Sequence, residues 1–166
     1  MNVPDHHSDQ PLRDDKHLPK ILIVTPEITY LPKGMGNLAQ RMTAKAGGLA
    51  DVSASLVHAL HSQGARVHVA LPNYARMFDL GMKERWQNAF DKVDRALPEQ
   101  RIHLAEDAAF YRRSEVYNAT ENHNVALAFQ REVINHIIPE VQPDLIHCND
   151  WMTGLIPAVA QKHGIK

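Results

Sequence analysis

Short apolar runs alternate with longer amphipathic stretches along this chain, and that alternation carries most of its structural signal. The apolar runs are rich in β-branched residues, as buried strands of parallel sheets are. Three of them predict strands, at 20–25 (KILIVT), 65–72 (ARVHVALP) and 144–148 (DLIHC). Two others, RIHLA at 101–105 and AAFYRR at 108–113, predict strands that are peripheral or antiparallel.

Helical periodicity fills the segments between these strands. The first predicted helix begins at Leu49 and stops at Gly64, and its buried face consists of Leu49, Val52, Leu56 and Leu60, with Val57 beside them. Others are predicted at 124–138, ended by Pro139 and Pro143, and at 153–163, where Pro157 fits because it lies in the first turn. Shorter helical pieces are predicted at 74–81 and 83–93.

The order of these elements predicts a fold class. A strand, a helix and a second strand in succession form a βαβ unit with parallel strands. The whole pattern predicts an open, doubly wound, mostly parallel α/β sheet of the Rossmann type over residues 20–166, after a polar, disordered lead-in at 1–19. Ligands of such sheets bind at the carboxyl ends of the strands, where the loop after Thr25, PNY after Leu71 and NDWMTG after Cys148 emerge.

The sequence KAGGLADV, at 45–52, lies near that edge. Glycines before a helix let backbone N–H groups approach an anion, and Lys45 adds a positive charge. Alone, the motif favours an ordinary glycine loop before a surface helix, with a phosphate-binding loop as the alternative. The spacings of a dinucleotide-binding turn and of a P-loop are absent from the sequence.

The sequence HCNDWMTG, at 147–154, follows the last predicted strand. Asn149 and Asp150 are suited to binding sugar hydroxyls, and Trp151 is suited to stacking on a sugar ring. The alternatives are a helix N-cap role for Asp150 and core packing for Trp151, which is the favoured role of that side chain. Cys148 lies within the apolar strand, where a buried and inert thiol is expected.

Composition narrows the classes of function. The chain has 166 residues, of which 44% are hydrophobic and 22% charged, with a formal net charge of −1. It has no basic stripe of the kind that binds nucleic acid, and its apolar runs fall far short of the roughly 20 residues that cross a bilayer. The single cysteine fits a reducing cytoplasm, and the 11 histidines show no metal-ligand spacing. We expect a cytoplasmic protein that binds neither nucleic acid nor membrane nor metal.

Taken in order, these segments resemble the amino-terminal half of the bacterial glycogen synthase and plant starch synthase family. The resemblance covers residues from about 20 to 166 and rests on PE after the first strand, KAGGLADV, GARVHVALPNY and PDLIHCNDWMTGLIPA. The family counterparts read close to K-T-G-G-L-A/G-D-V and P-D-[IV]-[VI]-H-x-H-D-W-x-[TA]-G/A-L. Two such motifs at the ends of strands of one α/β domain make the resemblance specific.

The resemblance implies the acceptor-side domain of a retaining GT-B glycosyltransferase. Such an enzyme transfers glucose from ADP-glucose or UDP-glucose to the non-reducing end of an α-1,4-glucan, and no cofactor or metal is implied. Asp150 is implied as a catalytic residue beside the transferred sugar. The donor side is implied at Lys45, Gly47, Gly48 and Asp51, where the lysine and the glycine amides would stabilise the departing diphosphate. The acceptor side is implied at Glu27, Tyr117, Asn149 and Trp151.

The sequence departs from the family pattern in three places. Ala46 replaces a threonine, and Asn149 and Met152 replace a histidine and a polar residue. Residues 28–44 form an insertion, which we expect to be a mobile flap over the acceptor groove.

Members of the resembled family are longer than this chain. The family continues beyond QKHGIK into a second domain with most donor-binding groups, so we expect an N-terminal fragment that is inactive alone. The alternatives are a stand-alone, non-catalytic glucan-binding or regulatory module and another retaining GT-B glycosyltransferase.

Overall fold

Four parallel strands form the centre of the protein, in the order β3-β2-β1-β4. The computed structural model describes residues 18–36, 39, 43–78, 100–118, 120–162 and 164. The strands are β1 (Lys20–Val24), β2 (Arg66–Pro72), β3 (Ile102–Ala105) and β4 (Leu145–Cys148). The strand order reverses beside β1, as in doubly wound sheets, and this confirms the predicted α/β, Rossmann-like fold.

Helices flank this sheet. They are α1 (Leu49–Ser62), α2 (Ala108–Tyr111), α3 (Asn122–Glu132), α4 (Ile138–Val141) and α5 (Ile156–Lys162). A π-helical turn, Val133–Ile137, joins α3 to α4, and a 3-10 turn, Trp151–Thr153, precedes α5. The centre of the sheet is fully buried, since Leu22, Ile23 and Val24 of β1 are inaccessible to solvent.

The first helix buries part of the predicted face, because Val57 is fully buried and Leu56 and Leu60 are partly buried against the core. Val52 is 62% exposed, and the buried residues of α1 are mostly small ones: Ala50, Ser53, Ala54 and Val57. The prediction therefore placed Val52 wrongly on the buried face and overlooked the small residues Ala50, Ser53 and Ala54. The predicted glycine stop is confirmed, because Gly64 has a φ of +84° directly beyond the helix.

The strand predicted at 108–113 is wrong, because Ala108–Tyr111 form α2. Asp107 begins this helix, and its carboxylate accepts a hydrogen bond from the Ala109 N–H at 2.8 Å. The peripheral alternative for RIHLA is confirmed, because β3 is an outer strand of the sheet and pairs with β2 in parallel.

The helix predicted to end at Pro139 and Pro143 continues past Pro139. The backbone widens into the π-helical turn Val133–Ile137, so that the proline falls in the first turn of α4, where its missing N–H costs little. The helix ends at Gln142, whose φ is +49° and which directly precedes Pro143, so the second predicted stop is confirmed.

The insertion at 28–44 is packed where the structure describes it. Ile28 and Ala44 exchange two backbone hydrogen bonds of 2.9 Å, and the Arg101 N–H donates to the Met35 carbonyl at 3.0 Å. Leu31 and Met35 are buried in the core. The expected flap is therefore not formed by residues 28–36. Most of the predicted lead-in, up to residue 17, and the helical piece predicted at 83–93 lie outside the described residues.

Candidate active site

The predicted site residues come from the ends of adjacent strands. Glu27 follows β1, and Asp150 follows β4, the parallel neighbour of β1. The carboxyl ends of β1 and β4 flank the point where the strand order reverses, which is where doubly wound sheets form their ligand crevice. The order of the strands alone therefore places Glu27 and Asp150 next to each other.

Glu27 is a buried carboxylate that binds the backbone of the loop that contains Gly47 and Gly48. Glu27 is only 2% exposed. Its Oε2 accepts hydrogen bonds from the backbone N–H groups of Ala46 at 2.7 Å and Gly47 at 2.9 Å. Its own carbonyl accepts from the Thr25 hydroxyl at 2.9 Å. Two charge-assisted bonds to backbone amides offset much of the cost of burying the negative charge.

Tyr117 reaches both carboxylates from the loop before α3. Its hydroxyl lies 3.2 Å from Asp150 Oδ2 and 3.5 Å from Glu27 Oε1, as donor in each case. Burial and the two nearby negative charges raise the pKa of Tyr117 above its usual value, so the phenol stays protonated at neutral pH. We call Glu27, Tyr117 and Asp150 the carboxylate cluster.

The loop that presents Tyr117 is shaped by Arg113, a charged residue that is only 7% exposed. Its guanidinium donates to the carbonyls of Glu115 and Val116, at 3.2 and 3.1 Å, and to the Asn122 side chain at 3.2 Å. The Asn122 side chain also accepts from the Asn118 N–H, directly after Tyr117. Arg113 therefore fixes both sides of the turn that carries the phenol.

Asp150 has a strained backbone. Its φ of +76° and ψ of +159° lie in a region that is nearly restricted to glycine, at a cost of roughly 1–3 kcal/mol. Its Oδ1 accepts from the Met152 N–H at 3.1 Å, and the Thr153 hydroxyl donates to its carbonyl at 2.8 Å. The N-cap role considered for Asp150 is thus confirmed, and the same side chain also binds Tyr117. Such strain is typical of functional residues.

Asn149 joins the end of β4 to α1. Its Nδ2 donates to the Ser53 hydroxyl at 3.1 Å, and its Oδ1 lies 2.9 Å from His147 Nε2. Ser53 in turn lies 3.1 Å from the Thr25 hydroxyl. A chain of polar side chains therefore runs beneath the crevice and holds β1, α1 and β4 in register with each other.

The residues implied on the donor side form an exposed edge of the site, which we call the glycine rim: Lys45, Gly47, Gly48 and Asp51. Lys45 Nζ donates to Asp51 Oδ2 at 2.7 Å, and both side chains are about half exposed. A Cβ added at Gly47 or Gly48 would meet nothing within 4 Å, and neither glycine has a positive φ. Packing within the described chain therefore does not require glycine at either position.

Trp151 is 50% exposed, so the core packing favoured for it from the sequence is wrong. Its ring lies beside that of His123, with 5.7 Å between the centroids. The buried strand predicted at 144–148 is wrong in its burial, because β4 alternates between exposed and partly buried residues and Cys148 is only partly buried. The expected inert thiol is supported, because burial raises the pKa of Cys148 to about 11.

Sequence reasoning missed Arg113 and Ser53, whose side chains support the site. A buried arginine is indistinguishable from a surface one in a single sequence.

The described residues contain no group of three or more metal-ligating side chains. Within the same part of the chain, no helix is both long and apolar enough to cross a membrane.

Comparison with known proteins identifies the family. The model of the starch synthase catalytic domain matches residues 20–166. The chain is 34% identical over 135 residues to a glycogen synthase of Exiguobacterium sibiricum, covering 72% of this chain and 28% of that protein. It is 33% identical over 150 residues to a glycogen synthase of Moorella thermoacetica, covering 83% and 28%. No solved structure matches significantly.

These matches agree with the resemblance stated from the motifs, and the aligned segment spans 28% of the length of each of these two relatives. The family match extends from the start of β1 through the end of α5, and so includes both the carboxylate cluster and the glycine rim. The chain belongs to the starch synthase catalytic-domain family.

Proposed function

We propose that this chain is the acceptor-side domain of a glycogen or starch synthase. The reaction is transfer of glucose from ADP-glucose or UDP-glucose to the non-reducing end of an α-1,4-glucan, with retention of configuration. The observation that carries the proposal is the pairing of Glu27 and Asp150 around one phenol at the switch point of the sheet. Carboxylates and a phenol held this close offer several hydrogen-bonding positions to the hydroxyls of a sugar.

The acceptor and the transferred glucose bind, in this proposal, along the carboxylate cluster. Asp150 is the catalytic residue beside the transferred sugar, and its strained backbone keeps the carboxylate turned toward Tyr117. The half-exposed ring of Trp151 supplies an apolar surface for the face of a sugar ring. Asn149 lines the same side, held by Ser53 and His147.

The diphosphate of the donor binds, in this proposal, at the glycine rim. The Gly47 N–H already donates to Glu27, so we assign the N–H groups from Gly48 onward, at the start of α1, to the phosphate oxygens. The first turn of a helix has N–H groups without intrahelical partners, and no side chain caps this one. Lys45 adds a positive charge that stabilises the leaving diphosphate, after it exchanges Asp51 for a phosphate oxygen.

A second domain with most of the donor-binding groups completes the site in this proposal, so the chain alone is expected to transfer no glucose. The test uses the enzyme that contains this domain together with its donor-binding domain. Lys45→Ala should lower turnover with ADP-glucose about 100-fold or more, as the loss of a group that stabilises leaving-group charge does. The matched control is Lys162→Ala, at the far end of α5, which should retain wild-type turnover. Wild-type turnover in Lys45→Ala would refute the role of the rim.

Binding to the chain itself tests the acceptor side. Titration with maltotetraose, followed by NMR, should shift resonances of Tyr117 and Trp151, and Asp150→Asn should weaken the binding. Two results together would favour a non-catalytic binding module instead. The chain would bind glucan, and substitutions in the glycine rim would leave the turnover of the enzyme unchanged.

A further inference from the structure

His147 is an exposed residue of β4 to which the sequence motifs and the proposed function assign no role. It lies two residues before Asn149, so the two side chains share one side of the extended backbone. Its Nε2 lies 2.9 Å from Asn149 Oδ1. Asn149 is partly exposed and directly precedes Asp150. The contact therefore connects a histidine that has no assigned role to a residue that we place on the acceptor side.

The backbone of Asn149 is fixed from both sides. Its N–H donates to the Val24 carbonyl at 2.9 Å, and its carbonyl accepts from the Thr153 hydroxyl at 3.0 Å. A half-turn of the side-chain amide would exchange Oδ1 and Nδ2 while leaving both positions occupied. The orientation of this amide decides whether its oxygen or its nitrogen faces His147, and which hydrogen-bonding groups remain for a ligand.

Donors and acceptors along a series of four side chains decide this orientation. We call the side chains of His147, Asn149, Ser53 and Thr25 the polar chain; their successive contacts measure 2.9, 3.1 and 3.1 Å. At its end the Thr25 hydroxyl donates to the Glu27 carbonyl at 2.9 Å. A carbonyl can only accept, so the single proton of Thr25 is used there. Ser53 must therefore donate to Thr25, and Asn149 must donate to Ser53.

The opposite orientation of the amide loses one of these four hydrogen bonds. With Oδ1 toward Ser53, the serine proton goes to Asn149, and the serine oxygen needs the proton of Thr25. The Glu27 carbonyl is then left without its donor. The observed orientation satisfies all four contacts on one condition, which is that His147 Nε2 carries a proton and donates to Oδ1. It leaves the second N–H of Asn149 without a partner among the described residues.

We propose that His147 is a positioning residue, which holds the Asn149 amide by its oxygen and so keeps the second N–H for an oxygen atom of the acceptor sugar. The inference rests on the proposed function, which places Asn149 on the acceptor side. His147 acts without touching the glucan. Its Nε2–H opposes the half-turn of the amide, because a turned amide would lose this bond and break the order of donors along the polar chain.

The first measurement needs neither a ligand nor a variant. Long-range 1H–15N NMR correlations of the ligand-free full chain report which ring nitrogen of His147 carries the proton. They are recorded at about pH 8, where imidazole side chains are neutral. We expect the proton on Nε2. A proton on Nδ1 would mean that Nε2 accepts from the Asn149 amide, and it would overturn the inference.

The second measurement is the Kd for maltotetraose, from NMR titration of the full chain. His147→Leu removes the donor to Oδ1 and should raise the Kd about three- to tenfold, as the loss of one neutral hydrogen bond does. His147→Gln supplies an N–H from its own amide and should restore the Kd to within about twofold of wild type. The matched control is His58→Leu, at an exposed position of α1, which should leave the Kd unchanged.

A double-mutant cycle tests whether His147 acts through Asn149. In the Asn149→Ala background, which has no amide to orient, His147→Leu should have no further effect on the Kd. An equal effect in both backgrounds would overturn the inference, as would an unchanged Kd in His147→Leu, and both results leave the proposed function standing. Failure of the wild-type chain to bind maltotetraose would refute the proposed acceptor side, and this inference with it.

Discussion

The carboxylate cluster and the glycine rim are connected, since Glu27 binds the Gly47 N–H, yet they are built in opposite ways. Each member of the cluster bonds to another member or to backbone N–H groups, at a buried or half-buried position. The rim has one exposed ion pair, and open space around both glycines. Contacts within the domain explain why the residues of the carboxylate cluster have their identities. They do not explain the identities of the residues in the glycine rim. The rim is thus the part whose residues we attribute to a ligand from outside.

This difference has a measurable consequence. Substitutions in the carboxylate cluster should change the free energy of unfolding and binding together. Substitutions in the glycine rim should change binding or turnover alone. Unfolding measurements without any ligand therefore distinguish the two regions.

The largest effect is expected for Glu27→Ala. It leaves the N–H groups of Ala46 and Gly47 without their acceptor and empties a buried position, so the free energy of unfolding should fall by roughly 2–4 kcal/mol. Urea unfolding followed by circular dichroism measures this. Glu27→Gln keeps an oxygen for the two amides but removes the charge, and should fall between Ala and wild type.

The matched control is Glu106→Ala. Glu106 is exposed and accepts from Asn73 and Tyr111 at 2.9–3.0 Å, so its loss should cost less than about 1 kcal/mol. If Glu27→Ala costs no more than Glu106→Ala, Glu27 does not support the glycine loop, and the comparison between the two regions fails.

The fold could be predicted from the sequence because periodicity reports burial directly. The strands β1, β2 and β4 are apolar runs, and the parallel sheet follows from the helices between them. The errors occurred where periodicity is weak. The run at 108–113 is too short to separate strand from helix, and the cap supplied by Asp107 decides the matter. The face of α1 was only partly predicted, because apolar periodicity overlooked the small buried residues Ala50, Ser53 and Ala54 and included the exposed Val52.

The site was only partly predictable. Residues of the two motifs could be named because the motifs are specific, and strand order brings Glu27 and Asp150 together. The bonds among them could not be predicted, because Tyr117 lies 90 residues from Glu27 in sequence and 33 from Asp150. The hydrogen bond between Asn149 and Ser53 was invisible for the same reason, since the two residues lie 96 positions apart. Whether a hydroxyl has a partner depends on tertiary packing, and a single sequence does not report it.

An intermediate effect is expected from alkaline pH. Burial raises the pKa of both Tyr74 and Tyr117 above the ordinary value of 10.0. The unfolded chain therefore releases these protons first, and the free energy of unfolding should fall as the pH rises above about 10. The slope is at most about 1.4 kcal/mol per pH unit for each tyrosine, and the part-exposed Tyr117 should contribute less than the fully buried Tyr74.

Urea unfolding between pH 8 and 11 measures this slope. Lysines also titrate in this range, so the informative quantity is the difference between variants. The double variant Tyr74→Phe/Tyr117→Phe should have a shallower slope than wild type, and Tyr111→Phe should not. Equal slopes in all three proteins would mean that the buried phenols carry no proton linkage to folding.

The smallest effect is expected at the glycine rim. Lys45→Met removes an exposed ion pair, and such pairs are worth less than about 1 kcal/mol. Gly48→Ala adds a Cβ in open space, where a lower entropy of the unfolded chain offsets the weaker N-cap. Both variants should unfold within about 0.5 kcal/mol of wild type, although Lys45→Met should reduce turnover as Lys45→Ala does. A loss of more than about 1 kcal/mol in either would show that the rim, like the carboxylate cluster, is held by the domain itself.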